Sequence, residues 1–308
     1  MRSGAKIFRM RLPATSANLG SGFDAVAIAL NFFLDIEAET AAEFSIAATG
    51  QDSDVCSRVK HNLILDNYSR ILAENGRPLT SLAIRMHNDI PLGMGCGSSA
   101  AGRLAAIAMA THFGELDWGA ERILEEACAL EGHPDNAAAC WMGGFVAAAN
   151  EGRAVRVARV NPPRDWRVIV VLPSQSLATS KARAVLPASY SSADVVANIQ
   201  AASMLGLAFA QGQGDLLRVA MRDRIHQPYR ADMCPQLPSL LPLAGTNGIL
   251  GVGLSGAGPA VLVIVDDDAR VAEASEKILG AMQDLPAPRL LTCCFQENGA
   301  KASFQSIE

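Results

Sequence analysis

The sequence predicts an α+β protein of two domains, on three observations. With 308 residues the chain is long enough for two cores. Strand-like and helix-like segments are mixed in both halves, without the regular strand–helix alternation of a doubly wound sheet. The stretch Asn161-Pro-Pro-Arg164 interrupts both patterns and is the best candidate for a boundary, dividing the chain into residues 1–163 and 164–308. Half the residues are hydrophobic and 19% are charged, so a sizeable core is available.

The elements follow from the patterning. Residues 6–13 read as a strand running into Pro13, and a glycine turn follows at Gly20-Ser-Gly22. Ala25–Leu30 and Phe32–Glu39 read as two further strands. Asn62–Asn75 reads as a helix closed by Gly76, and Leu82–His87 alternates as a strand. Ser99–Phe113 is a small, apolar helix with Gly114 as its terminator, capped by Ser98 or Ser99. Ala120–Leu130 is a second helix with its acidic residues outward, after which the chain turns through His133-Pro-Asp-Asn136. Phe145–Asn150 and Ala154–Val160 can pair as a hairpin. Beyond the boundary, Arg167–Leu172 is a continuous apolar strand, and residues 192–211 and 213–223 are helical. Gly251–Leu254 and Ala260–Val265 are strands around a second glycine loop. Ala269–Met282 is an amphipathic helix and Arg289–Phe295 a last strand. No internal repeat or low-complexity tail is present.

Composition excludes several classes of function. The net charge is −5 and no long basic run occurs, so a nucleic-acid surface is not expected. A phosphate-bearing small molecule is not excluded, because backbone dipoles can bind it. The seven cysteines (Cys56, Cys96, Cys128, Cys140, Cys234, Cys293 and Cys294) are odd in number, and their spacing fits neither a disulfide framework nor a CxxC zinc site. They read as reduced core thiols. No export signal and no apolar run of membrane-spanning length is apparent, so the expectation is a cytoplasmic protein without a membrane partner.

The most informative segment is Pro91, Leu92, Gly93, Met94, Gly95, Cys96, Gly97, Ser98, Ser99, Ala100 and Ala101. Its three alternating glycines let backbone approach a ligand closely, and a helix begins at its end. A helix N-terminus behind a bare glycine loop is an anion site, and a phosphate chain is its natural occupant. Two more segments carry glycine turns: Pro13-Ala-Thr-Ser-Ala-Asn-Leu-Gly-Ser-Gly-Phe-Asp24, with Asn18 and Asp24 on either side of the turn, and Gly253-Leu-Ser-Gly-Ala-Gly-Pro259.

Taken in order, these three segments resemble the signature motifs of the GHMP small-molecule kinases over about residues 10–265. The middle one matches the family pattern PxGxGLGSSA, except that Cys96 stands where Leu or Met is usual and should pack under the loop. Four features resemble the branch of that family that phosphorylates homoserine: the first segment itself, Glu131-Gly-His-Pro-Asp-Asn136, Thr179-Ser-Lys-Ala-Arg183, and Asp223-Arg-Ile-His-Gln-Pro-Tyr-Arg230.

The resemblance implies a two-domain GHMP kinase fold, with a ribosomal-protein-like βαβ N-terminal domain and a ferredoxin-like C-terminal domain. It implies ATP as phosphoryl donor, L-homoserine as acceptor, Mg2+ as cofactor, and a homodimer. Residues 91–101 would hold the triphosphate. Ser99 and Glu131 would hold Mg2+, with Glu125 and Glu126 as competing carboxylates. Arg183 and Arg230 would take the substrate carboxylate and Asp24 its ammonium. Asn18, Asn136, His133 and Thr179 would complete the pocket, with Asn18, Asp24 and Asn136 nearest the chemistry. The residue matching the base of some relatives is Asn136, and an amide cannot accept a proton at neutral pH. The expectation is therefore transfer without a dedicated protein base, with Asp135 pointing elsewhere and His133 serving the pocket or its turn. The segment 253–259 would brace the nucleotide loop.

Overall fold

The computed structural model describes residues 7–305, and their ten strands form one sheet of six and one of four. Strand β1 (Phe8–Asn18) runs through Pro13 and pairs antiparallel with β2 (Gly22–Thr40). The expected start of β1 at residue 6 lies outside the described residues. Strand β2 is a single 19-residue strand where the sequence suggests two. The interruption read from sequence is a register shift: Pro13 pairs with Phe33 but Ala14 pairs with Leu30. Proline offers no N–H to the ladder, and the polar groups of Asn31 turn to the far end of the chain. Its N–H donates to the Cys294 carbonyl at 3.1 Å, and its Oδ1 accepts from the Cys294 N–H at 2.8 Å.

Strand β3 (Ser45–Gly50), which the sequence does not announce, pairs parallel with β4 (Leu82–Asn88), and β4 pairs with β2. It is a short edge strand with several exposed positions, so it lacks the buried apolar alternation that marks strands in sequence. Between them lie a single turn, α1 (Ser53–Cys56), and helix α2 (Leu63–Glu74). Asn62 caps α2, its Oδ1 accepting from the N–H groups of Ile64 and Leu65, and Ile64, Leu65, Tyr68, Ile71 and Leu72 form the buried face.

Helix α3 (Ser98–Phe113) is buried on nearly every side, between α2, β1 and α4 (Ala120–Glu131). Its alanines permit that close approach. Neither Ser98 nor Ser99 caps it; Gly97 is the N-cap at φ +74°, and no side chain covers the first turn. Gly114 does end α3, but in right-handed geometry at φ −84°. Helix α4 ends at Gly132 in the left-handed region. The next segment is not an extended turn: Pro134 starts a short helix, α5 (Asp135–Met142), that puts Asp135 and Asn136 in its first turn. The hairpin β5 (Phe145–Glu151) and β6 (Ala154–Val160) completes the first sheet beside β2.

The second sheet has the order β10-β7-β9-β8, from β7 (Arg167–Leu172), β8 (Ile249–Leu254), β9 (Val261–Val265) and β10 (Arg289–Cys293). Between β7 and β8 come α6 (Thr179–Ala184), α7 (Ser192–Gln211), α8 (Leu217–Ala220), α9 (Gln227–Arg230) and α10 (Gln236–Leu240). The helix expected over 213–223 is thus only a 3-10 turn followed by the single turn α8. Helix α11 (Val271–Ala281) and α10 cover one face of the sheet. The other face, with Val168, Val170, Leu262 and Ile264, joins the main core. The last helix, α12 (Ala300–Gln305), returns to pack on β1 and α5, after a bridge between Leu30 and Phe295.

Two further expectations meet the structure. All seven cysteines are free, and burial pushes the Cys96 thiol up to about 12 beneath the loop. Helix α7 is long and apolar enough to cross a membrane by length and composition, contrary to the reading that no such run exists. Its only charged residue is Asp194 near the start, and Ala201, Leu205, Ala208 and Phe209 turn one side to the core.

Replacing Asn62 by Ala removes the cap of α2 and should cost about 1 kcal/mol. Urea unfolding should show a lower midpoint at unchanged slope; an unmoved midpoint would mean the cap contributes nothing.

Candidate active site

The three glycine segments meet at one cleft. Thr15 N–H donates to the Cys96 carbonyl at 3.1 Å, joining β1 to the loop before α3. Ser255 Oγ donates to the Gly95 carbonyl at 2.7 Å and lies 2.9 Å from Ser16 Oγ. Gly256 N–H donates to the Ala17 carbonyl at 3.0 Å, and Asn18 Nδ2 donates to the Gly256 carbonyl at 2.8 Å. Gly97 illustrates why a side chain is not tolerated here: its φ is +74°, and a Cβ would sit 1.9 Å from Thr15 Oγ1. The chain is held in a loop whose carbonyls bond to its braces while the uncapped first turn of α3 opens on the cleft. Segment 253–259 braces the glycine loop, as expected, and Gly256, Ala257 and Gly258 also line the cleft.

The cleft, of about 520 Å³, is lined at one end by Gly93, Gly95, Gly97, Ser98 and Ser99 and at the other by Asp24, Arg183 and Arg230. Asn18, His133, Asn136 and Thr179 also line it. Of residues 91–101, Pro91, Leu92, Met94, Cys96, Ala100 and Ala101 do not line it: Cys96, Ala100 and Ala101 are buried, Pro91 and Met94 line a separate hollow with Leu172 and Arg289, and Leu92 N–H donates to Asp52.

Ser99 Oγ donates to Glu131 Oε1 at 2.8 Å, so the first turn of α3 and the end of α4 bring a hydroxyl and a carboxylate together. Both are hard oxygen donors and fit the needs of Mg2+, which keeps several waters. Glu125 and Glu126 lie elsewhere. Both face Arg122, and Glu126 also approaches Arg70.

At the other end Arg183 forms a fork on Asp24, with Nη1 to Oδ2 at 2.9 Å and Nη2 to Oδ1 at 2.6 Å, and this bond raises the Arg183 pKa. Arg230 is buried and has no ion-pair partner among the described residues. Its Nε donates to the Ala182 carbonyl at 3.0 Å and its Nη1 to His226 Nδ1 at 3.0 Å. Burial, and then the nearby Arg183, push the Arg230 pKa down. An incoming carboxylate would relieve both. His226 is held neutral by its own burial, which outweighs Asp223, and with Nδ1 accepting from Arg230 its Nε2–H donates to Gly20 O at 2.8 Å. Asp223 in turn accepts from the N–H groups of Ile225, His226 and Gln227, fixing the turn that carries Arg230.

Asn18 is more committed than the sequence suggests. Its left-handed backbone and its two bonds, to Gly256 O and from Asp24 N–H at 3.0 Å, make it a brace that orients Asp24. Asn136 Oδ1 accepts from Thr15 Oγ1 at 2.7 Å. Asp135 does not point away as expected. It is buried, lines the cleft, bonds His133 Nδ1 and accepts from Asn136 N–H at 2.7 Å. Burial pushes His133 toward neutrality, but the Asp135 hydrogen bond and the charges of Asp135, Asp24 and Glu131 together outweigh it, so its pKa is raised.

Two cleft residues and a buried brace behind them were not legible as such. Phe23 stacks on His226, with the guanidinium carbons of Arg183 and Arg230 5.5 and 5.4 Å from its ring centre. Its place beside Asp24 was the available signal. Arg103 lines the cleft one helical turn beyond Ser99, and that i, i+4 spacing was its signal. His226 braces Arg230 from the same short helix.

Comparison with known proteins identifies the family. Residues 62–144 match the GHMP kinases N terminal domain and residues 207–284 the GHMP kinases C terminal domain. A homoserine kinase of Solibacter usitatus is 41% identical over 260 residues, covering 84% of this chain and 85% of its own. One from Moorella thermoacetica is 38% identical over 253 residues, covering 82% and 86%. The crystal structure of homoserine kinase from Cytophaga hutchinsonii superposes with a TM-score of 0.81 at 22% identity, covering 97% of this chain and 98% of that one. At that identity the likeness speaks for the fold, and the two-domain fold implied by the motifs is borne out. The chain belongs to the GHMP kinases and, within them, to the homoserine kinases.

The balance at His133 gives a pH prediction. With its folded pKa raised, His133 adds stability that is complete below its unfolded pKa and is lost as pH rises through the folded value. NMR titration should place its midpoint above the ordinary 6.5. In Asp135→Asn burial is left with less opposition and the midpoint should fall; a midpoint unchanged by that substitution would refute this account.

Proposed function

We propose that this homoserine kinase transfers the γ-phosphoryl group of ATP to the side-chain hydroxyl of L-homoserine within the cleft described above, in the threonine branch of amino-acid biosynthesis. The observation that carries the assignment of roles is the polarity of the cleft. A bare glycine loop and open helix N-terminus lie at one end, and a buried, unpaired arginine lies beside an Asp–Arg fork at the other.

The triphosphate would lie against residues 93–99, where N–H groups and the helix dipole of α3 favour negative charge. Ser99 and Glu131 would hold Mg2+, which when bound neutralises phosphate charge. The substrate carboxylate would settle between Arg230 and Arg183, and its ammonium beside Asp24. The fork between Arg183 and Asp24 thus becomes a four-charge array with the zwitterion inserted. Phe23 walls the pocket beneath both guanidinium groups. Thr179, at the start of α6, and Asn136, held by Thr15, would orient the hydroxyl.

The hydroxyl oxygen attacks the γ-phosphorus and the bond to the β–γ bridging oxygen breaks, releasing ADP. The hydroxyl proton leaves with a phosphate oxygen or to water, since Asn136 cannot take it. His133, its Nδ1 bound to Asp135 and its pKa raised, is better suited to donate a hydrogen bond than to accept a proton. Catalysis then rests on positioning and charge compensation. We also infer from the family resemblance that the protein works as a homodimer in the cytoplasm; sedimentation analysis giving a monomer would overturn the first part.

ADP release from Mg2+-ATP should be fast with L-homoserine and at least about tenfold slower with L-serine, which is one methylene shorter, with mevalonate and galactose inactive. Equal rates on another alcohol would overturn the substrate assignment. Arg183→Ala and Arg230→Ala should each raise KM for L-homoserine about 10- to 100-fold, the worth of a lost charged hydrogen-bond pair. An unchanged KM would remove that arginine from the carboxylate site.

A further inference from the structure

Arg103 is the one residue from Ala100 to Thr111 on α3 that is not buried, and the only charged side chain in that stretch. It stands four residues beyond Ser99, so both side chains leave the same face of the helix. Its Nη1 donates to Oε1 of Glu131, the same oxygen that accepts from Ser99 Oγ. The Glu131 side chain is only 7% exposed, and Arg103 has no other ion-pair partner among the described residues. Salt bridges that merely solvate a helix lie at the surface; this one stands in the cleft, on the oxygen that the metal reading above requires.

One carboxylate oxygen in that position cannot serve Ser99, a guanidinium and a divalent ion together. If Glu131 turns to a metal, the Arg103 charge must find another anion, because a half-buried unpaired guanidinium is costly. The anion that enters this end of the cleft is the phosphate chain. A guanidinium is always charged and presents a planar fork that matches phosphate oxygens.

We infer that Arg103 is a phosphate-contacting residue that rests on Glu131 until nucleotide binds and then exchanges it for the terminal phosphates. The inference rests on the nucleotide placement proposed above. Glu131 thereby has two cationic partners in succession, and the cleft is never left with an uncompensated carboxylate. The arginine is supplied from the helix that also binds the phosphates, so no second element has to close to deliver it.

The test separates a phosphate contact from a plain ion pair by removing the ion pair first. In Glu131→Gln, Arg103 has no carboxylate to lose. In that background, Arg103→Met should weaken metal-free ATP binding, measured by calorimetry in EDTA, about tenfold, and leave AMP binding unmoved. Arg103→Lys should fall between the two, keeping the charge without the fork. Circular dichroism and thermal melting of each variant report whether it is folded. Equal ATP affinity with and without Arg103 in folded Glu131→Gln protein would overturn the inference and reduce Arg103 to a counter-ion. So would equal losses for ATP and AMP. Because the readout is nucleotide binding, it stands apart from the substrate assignment: a protein that shows the ATP-specific loss but does not turn over L-homoserine would refute the latter alone.

Discussion

The lacing of three glycine-bearing segments is the constraint on which the rest of the structure depends. Ser255 reaches the Gly95 carbonyl, Gly256 and Asn18 tie β1 to the loop after β8, and Thr15 sits where a Cβ of Gly97 would be. Polar side chains and backbone meet here so closely that a Cβ on Gly97 would have no room. They fix where α3 begins and leave its first turn free of a side-chain cap. An ordinary helix in a core would be destabilised by such an end. Here the unsatisfied donors face the cleft, and the stability of the surrounding core offsets their exposure.

The same interaction sets the electrostatics. The two sheets are joined along this seam, and the cleft beside it holds opposite-charge pairs: Asp24 with Arg183 from far along the chain, Glu131 with Arg103 from a neighbouring helix, and Asp135 with His133 from its own turn. Arg230 is the exception, buried against Phe23 and His226 without a carboxylate. Partly buried charges interact strongly but lose hydration, so pairing them with one another offsets the desolvation cost. A zwitterion or a phosphate chain can then exchange places with partners already present instead of entering a field of uncompensated charge. Arg230, without an ion-pair partner among the described residues, would supply the net attraction for a carboxylate.

Neighbouring residues acquire different tasks from small differences in placement. Asn18 and Asn136 read alike in sequence, yet the first spends its amide on Gly256 and Asp24 while the second accepts at Oδ1 from Thr15 and lines the cleft. Glu125, Glu126 and Glu131 share a helix, but 100° per residue turns the first two toward Arg122 and leaves Glu131 at the end that abuts Ser99. His133 and His226 each bond through Nδ1, one to a carboxylate and one to a guanidinium, and burial with those partners drives their pKa values in opposite directions.

The sequence by itself determined the glycine loop, the helix behind it, the family and the two cleft arginines Arg183 and Arg230, because each is written in contiguous residues whose chemistry is local: glycine permits positive φ, and short motifs keep their spacing. It also placed β6, β7 and α7 at their observed bounds, where periodicity or continuous apolar runs are unambiguous. Tertiary structure alone decided the rest. It made β2 one strand across a register shift, because Asn31 finds its partners at Cys294, 263 residues away. It turned Asp135 into the cleft by starting α5 at Pro134, and it brought Ser99 from another helix beside Glu131 and not beside Glu125 or Glu126. It set Arg103 on that same carboxylate. A partner's position in space, unlike a residue's own propensity, depends on the packing of the whole chain and is not encoded at either end of the contact.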